Sequence, residues 1–208
     1  MNKQETFNYK FEINKNDIDF YVNETNKSSF EVISNNINNI FLVGPNKSGK
    51  TILGQLWKKN NNAITFQNNF EYLLKNKRNI LIDEFNINIS EEKLFHLINH
   101  ANNENSKILI ISKYDLYEYN FKTKDLLSRL KTFTYSKINK PDDDMLINIL
   151  TKLFTQKQFI IHSVEIFDYI LRRTNRTYEN IFFIVDKLDK LSLEKKRQLT
   201  IPLIKEIL

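Results

Sequence analysis

The chain has 208 residues, 41% of them hydrophobic, with 16 Phe and 9 Tyr, enough for one compact domain or one plus a small appendage. It contains no cysteine, which excludes a disulfide framework and a thiolate metal site and fits a reducing cytoplasm. The net charge of +6 suits a phosphate-bearing partner, but Lys, Asn and Ile are abundant throughout, so basicity alone does not identify a nucleic-acid binder. No apolar run approaches membrane-spanning length and no secretory h-region opens the chain, so no membrane partner is expected.

Residues 1–16 are polar and without a clear period, and are expected to form a loosely held arm. Within it Gln4, Phe7 and Tyr9 make a short pattern of one amide followed by two large apolar groups. Such a segment can lay its rings into a partner groove while the amide bonds polar groups at the rim. Phe20-Tyr21-Val22 is a short aromatic run that serves equally as core filling or as packing around a base. A helix is expected over 25–33, with Phe30, Ile33 and Ile37 turned inward.

Ile40 to Val43 reads as a buried strand feeding Gly44-Pro45-Asn46-Lys47-Ser48-Gly49-Lys50-Thr51, after which Ile52, Leu53, Leu56 and Trp57 mark a helix. Strand, glycine-bounded loop and helix in that order form the setting of a phosphate-binding P-loop. The glycines let successive N–H groups turn inward, and the helix N-terminus adds its partial positive charge. Lys50 is the residue to reach the β- and γ-phosphates, and the Thr51 hydroxyl the one to take a Mg²⁺ position.

Ala63 to Phe66 reads as a short strand, and Phe70, Leu73 and Leu74 as one side of a short helix. Ile80-Leu81-Ile82 then forms a buried strand ending in Asp83-Glu84, and ligands of open α/β sheets bind at that end. Asp83 is placed to hold Mg²⁺ and Glu84 to polarise a water attacking the γ-phosphate. Ser90 looks like an N-cap, opening a helix that buries Leu94, Phe95, Leu97, Ile98 and Ala101. His96 and His100, one turn apart, lack a third ligand and read as rim histidines. The strand 107–112 ends in Ser112, either a γ-phosphate sensor or a simple strand cap.

A short helix over 124–130 carries Arg129, and a strand-like stretch follows to Ile138. Beyond Pro141 only helices are expected: one through Met145, Leu146, Ile149, Leu150 and Leu153, one through Val164 to Leu171, one through Ile181, Val185 and Leu188, and a last one opened by Thr200 and Pro202. The expected organisation is an arm over 1–16, an α/β nucleotide domain over 17–140 and an all-helical lid over 141–208.

Taken together, the P-loop, Asp83-Glu84, Ser112, Ser128-Arg129-Leu130 and the helices after Pro141 resemble the AAA+ ATPases of the DnaA-type initiator family. The terminal run Asp186-Lys187-Leu188-Asp189-Lys190 through Lys196-Arg197-Gln198-Leu199-Thr200-Ile201-Pro202-Leu203-Ile204-Lys205-Glu206-Ile207-Leu208 is most like the short Hda-type homologues. The resemblance implies a parallel sheet sandwiched by helices, adenine nucleotide (ATP or ADP) with Mg²⁺, and Phe20, Tyr21 and Val22 beside the base. It implies attachment to the DNA sliding clamp through Gln4, Phe7 and Tyr9, and contact with DNA only by that route. Arg129 becomes an arginine finger for ATP held by the initiator, with homo-oligomerisation open. The initiator's sensor-2 arginine aligns with Glu179, leaving Arg176, one turn earlier, as the candidate phosphate contact. Hydrolysis by this chain itself is then slow or absent, and the lack of a following DNA-binding domain argues against an initiator. A helicase loader that hydrolyses its own ATP is the alternative, and a small-molecule kinase fits poorly.

Overall fold

The computed structural model describes residues 20–35, 37, 39–67, 69–85 and 89–208. Gln4, Phe7, Tyr9 and the rest of the expected arm lie outside them. Five parallel strands, β1 (Asn39–Val43), β2 (Ile64–Thr65), β3 (Ile80–Phe85), β4 (Ile108–Ser112) and β5 (Thr134–Lys137), form one sheet in the order β2-β3-β4-β1-β5. Strand side chains alternate between faces, so a sheet covered on both sides needs apolar residues at every position. That is why β1, β3 and β4 read as unbroken Ile/Leu/Phe/Val runs. Phe41, Val43, Ile80, Ile82, Ile108 and Ile110 point into one core with α3 (Phe70–Lys75), α4 (Glu91–Asn103) and α5 (Lys124–Leu130). Ile40, Leu42, Leu81, Leu109 and Ile111 face the other, with α1 (Lys27–Ser34) and α2 (Lys50–Asn60).

Four helices follow the sheet: α6 (Asp143–Gln156), α7 (Glu165–Arg173), α8 (Tyr178–Lys195) and α9 (Ile201–Ile204). They close on their own core of Leu146, Leu150, Phe154, Ile170, Ile181, Val185 and Leu188. Their starts carry the local signals expected of caps. Asp142 accepts from the Met145 N–H at 2.8 Å and Thr177 from the Asn180 N–H at 3.2 Å. The chain is an α/β protein with helices on both faces of a parallel sheet and a helical C-terminal lid.

The segment 20–26 ties lid to sheet. The Asn23 side-chain amide donates to both Asp142 carboxylate oxygens at 2.9 and 3.0 Å, and Tyr178 OH donates to the Asn139 carbonyl at 3.4 Å. The Asn26 amide donates to the Tyr21 carbonyl at 2.8 Å and so shapes the aromatic segment before α1.

Some elements differ from the sequence reading. Helix α1 starts at Lys27, not 25, because Thr25 and Asn26 are taken up by the turn that Asn23 organises. Strand β2 has only two residues, since it pairs solely with β3 at the sheet edge. Val164 precedes α7 and is half exposed rather than core. A 3₁₀ turn, Leu116–Glu118, capped reciprocally by Asp115 and Glu118, occupies a stretch where no element was expected.

Candidate functional site: a P-loop cavity under the lid

The P-loop leaves β1 at its C-terminal end, where the Gly44 N–H donates to the Ser112 carbonyl of neighbouring β4 at 3.3 Å. A side chain at Gly44 would be tight, because a Cβ would meet Ile138 Cβ at 3.0 Å and Ser48 Oγ at 3.1 Å and these neighbours would have to give way slightly. Gly49 adopts φ 90°, the left-handed region, and a Cβ there would lie 2.6 Å from the Phe20 ring. The two glycines therefore set different things: one brings β1 against β5, the other seats an aromatic ring on the loop.

Lys50, half-buried at the start of α2, donates to the Gly44 and Pro45 carbonyls at 2.7 and 2.6 Å. Burial holds its ammonium below the usual lysine range; Asp83 opposes that shift and Lys113 adds to it. The Ser48 hydroxyl is buried and has no hydrogen-bond partner among the described residues. An unpaired buried hydroxyl is unfavourable unless something else bonds it. At the rim of an anion site a phosphate oxygen fits that need.

The loop forms one wall of a cavity of about 660 Å³, lined further by Thr51, Asp83, Glu84, Ser112, Lys113 and the lid residues Glu179 and Phe182. Against it lies an apolar pocket of about 290 Å³ containing Phe20, Tyr21, Ile52, Met145, Ile149, Leu153 and Phe182. Phe20 stacks on Phe30 at 6.2 Å, and the Lys47 ammonium lies 5.5 Å from the centre of the Phe182 ring, so P-loop and lid meet there. A polar basin with lysines, joined to a small aromatic pocket, has the shape and chemistry of a nucleotide: phosphates in the first, base in the second.

Asp83 accepts the Glu84 N–H at 2.9 Å. Glu84 itself has φ 54°, and the β3–β4 register breaks between Ile82 and Phe85. A non-glycine residue in that region carries strain that surrounding structure must hold. Here the holding group is Tyr119, whose hydroxyl donates to the Phe85 carbonyl at 2.9 Å and whose ring meets Phe85 edge-on at 5.0 Å. Thr51, Asp83 and Glu84 offer hard oxygen donors on one cavity, which suits a Mg²⁺ completed by phosphate and water. Among the described residues no cluster of three His, Cys, Asp or Glu forms a dedicated metal cage.

The remaining sequence candidates divide. Gly44 and Pro45 border a second cavity rather than the 660 Å³ one. Val22 is half-buried but lines none of the three cavities. Ser112 lines the cavity, yet its hydroxyl donates to the Tyr114 carbonyl at 2.6 Å and lies 2.8 Å from Tyr119 Oη. The strand-cap alternative describes that hydroxyl. Arg129 is exposed on α5 and lines none of the cavities.

Residues 143–208 match the family model described as "Hda, lid domain". Domain III of the Thermotoga maritima replication initiation protein DnaA superposes with a TM-score of 0.75 at 17% identity, covering 91% of this chain and 93% of that one. The chain shares the fold of DnaA domain III, and its lid is similar to the Hda lid domain. The AMPPCP-bound DnaA of Aquifex aeolicus is similar at a TM-score of 0.67 and 19% identity, over 86% of this chain and 67% of that one. In sequence, a Haemophilus influenzae protein described as uncharacterized is 32% identical over 119 residues, 57% of this chain and 51% of its own. The chain thus spans about half the length of that curated relative.

Arg176, the lid residue expected to contact phosphate, is engaged within the lid. Its guanidinium pairs with Asp143 at 3.1 Å and donates through Nε to the Leu171 carbonyl at 3.4 Å, tying the start of α8 to α6 and α7, and it lines none of the three cavities. The lid presents Glu179, from the first turn of α8, to the phosphate basin instead. Lys113, Tyr114 and Phe182 line the cavity and were passed over by sequence reasoning. Their only linear signal is position: just after a strand end for the first two, beside a core residue of an apolar helix for the third.

Proposed function

We propose that this chain is a DnaA-related replication regulator that holds adenine nucleotide in its own P-loop cavity and supplies Arg129 to ATP bound by an initiator. The base sits in the Phe20–Tyr21–Phe182 pocket and the phosphates lie on the P-loop amides, Ser48 and Lys50. Thr51 and Asp83 would hold Mg²⁺, which would neutralise phosphate charge. The carrying observation is that Arg129 is exposed and apart from its own cavity, while the residues of a nucleotide site converge under the lid. An arginine placed against a partner's γ-phosphate stabilises charge that builds in the transition state, an effect of about 10³–10⁵ in rate in related NTPases. Gln4, Phe7 and Tyr9 are the proposed contacts to the sliding clamp. Arg129→Ala is expected to bind nucleotide as wild type does and to lose stimulation of ATP hydrolysis on the initiator by at least about a hundredfold. The assay follows labelled ATP preloaded on the initiator in the presence of clamp-loaded DNA. Full stimulation by the variant overturns the assignment.

Glu84 supports a second reading, in which the chain hydrolyses its own ATP as a loader-type ATPase, because that carboxylate lines the same cavity as Thr51 and Asp83. Glu84→Gln separates the two readings, since only this chain's own turnover depends on it.

A further inference from the structure

On its lid side the apolar pocket beside the P-loop is walled by one stripe of α6: Met145, Asn148, Ile149, Lys152, Leu153 and Gln156. These positions recur at helical spacing, and Met145, Ile149 and Leu153 supply apolar surface. Asn148 does not. It is a polar side chain only 9% exposed. Asparagine is mostly an exposed residue, and a buried one needs partners for both ends of its amide.

The nitrogen end has one. Asn148 Nδ2 donates to the Asp144 carbonyl one turn earlier at 2.9 Å. That bond sets the orientation of the amide, since only its NH₂ end can donate. The oxygen is left over. Asn148 Oδ1 has no hydrogen-bond partner among the described residues, yet it is not sealed from solvent. For a side chain this buried, the pocket it lines is the place where that access lies. The other buried amide of the pocket, Asn26, is spent at both ends: its Nδ2 donates to the Tyr21 carbonyl at 2.8 Å, and its Oδ1 accepts the Asn23 N–H at 2.9 Å. Gln156 also lines the pocket but is exposed, two turns further along α6.

We propose that Asn148 is the residue that selects the base, accepting a hydrogen bond from the 6-amino group of a purine and discriminating against a 6-carbonyl. The inference rests on the nucleotide reading of the cavity and adds to it the side chain that reads the base. Adenine offers an amino donor where guanine offers the O6 acceptor. An acceptor set against Asn148 Oδ1 leaves two oxygens unpaired in a largely apolar wall, which is unfavourable. Rotating the amide does not help. A flip that offers Nδ2 to O6 turns Oδ1 onto the Asp144 carbonyl, so the same acceptor-to-acceptor contact reappears inside the helix. The base is thus read from the lid, while the phosphates are held by the P-loop.

The test is titration calorimetry of the full chain with ADP and with IDP, which keeps the sugar and the diphosphate but carries a carbonyl in place of the 6-amino group. Wild type is expected to bind ADP about tenfold or more tighter than IDP. Asn148→Leu keeps the branching of the side chain and the backbone bonds of α6 but removes the acceptor. It is expected to bring the two affinities within about threefold, chiefly by weakening ADP. Asn148→Ala is the second variant, for the case that leucine crowds the pocket, and melting temperatures without nucleotide check that both fold. Wild type that binds neither ligand overturns the nucleotide reading and this inference with it. Wild type that binds ADP and IDP equally, or variants that keep the wild-type preference, leave the phosphate site standing and overturn the role of Asn148.

Discussion

At the residue scale, the cavity is governed by a few charges set close together. Lys50 is partly stripped of water and bonded to two carbonyls of its own loop, so its ammonium is pre-aimed along the P-loop. Lys50→Ala is expected to abolish adenine-nucleotide binding in titration calorimetry. The rise in melting temperature that saturating nucleotide produces in wild type, equivalent to about 2.7 kcal/mol at a hundred times Kd, disappears with it. Glu179 makes a sharper case. A carboxylate on the lid side of the phosphate basin disfavours each added negative charge, and it does so more for a triphosphate than for a diphosphate. Glu179→Arg reverses the sign of that field at one point. The ratio of ATP-analogue to ADP affinity is then expected to rise by about five- to tenfold, the size of a charge interaction at about 4 Å in water-like surroundings. Measuring both ligands on the same preparation settles it; an unchanged ratio means that Glu179 faces away from the phosphates.

At the element scale, α5 matters because it carries Arg129 yet is only seven residues long, too short to hold itself. Its start is held from outside. Glu91, in the first turn of α4, accepts the N–H groups of Lys122 and Thr123 at 2.8 Å each, and the Lys122 bond chiefly lowers its carboxyl pKa from the ordinary glutamate value. A depressed carboxylate pKa means that the contribution is present above the unfolded value of about 4.3 and is lost as pH falls through the folded one. Glu91→Ala is expected to speed hydrogen exchange across residues 122–127 by about three- to tenfold at neutral pH while leaving the lid unchanged. Wild type should match the variant only when acidified below about pH 4. Equal protection at neutral pH sinks this account. The same elements show what was legible beforehand. Strand β1, the P-loop and β3 could be read because their apolar runs and glycines act locally. The turn at Leu116–Glu118 carries a local signal, the Asp115–Glu118 capping box, that was passed over, whereas the strained Glu84 could not be read because it depends on a partner distant in sequence, Tyr119 on the Phe85 carbonyl. Helical periodicity located α8 but not which polar residue of its first turn faces the P-loop. That depends on how the lid docks through Asn23 and Asp142.

At the scale of the whole molecule, the proposed reading puts three functions in separate places: nucleotide under the lid, the finger on α5, and the clamp contact in residues 4–9, outside the described residues. Separation makes the reading divisible by experiment. A segment with two apolar anchors and one amide gains affinity from a groove but loses conformational freedom on binding, so a single contact of about micromolar strength is expected. A ring-shaped clamp with equivalent grooves raises this by avidity if the regulator self-associates. Gln4→Ala with Phe7→Ala is therefore expected to remove binding to immobilised clamp in surface plasmon resonance, lowering the response by at least about tenfold. It should also abolish initiator inactivation on clamp-loaded DNA, while nucleotide titrations and the melting temperature stay at wild-type values. Arg129→Ala gives the complementary result, with clamp binding kept and inactivation lost. If the double variant still binds clamp, the contact lies elsewhere on the chain. If it loses clamp binding but still inactivates the initiator, docking and catalysis are uncoupled, and the clamp is not the platform on which Arg129 acts.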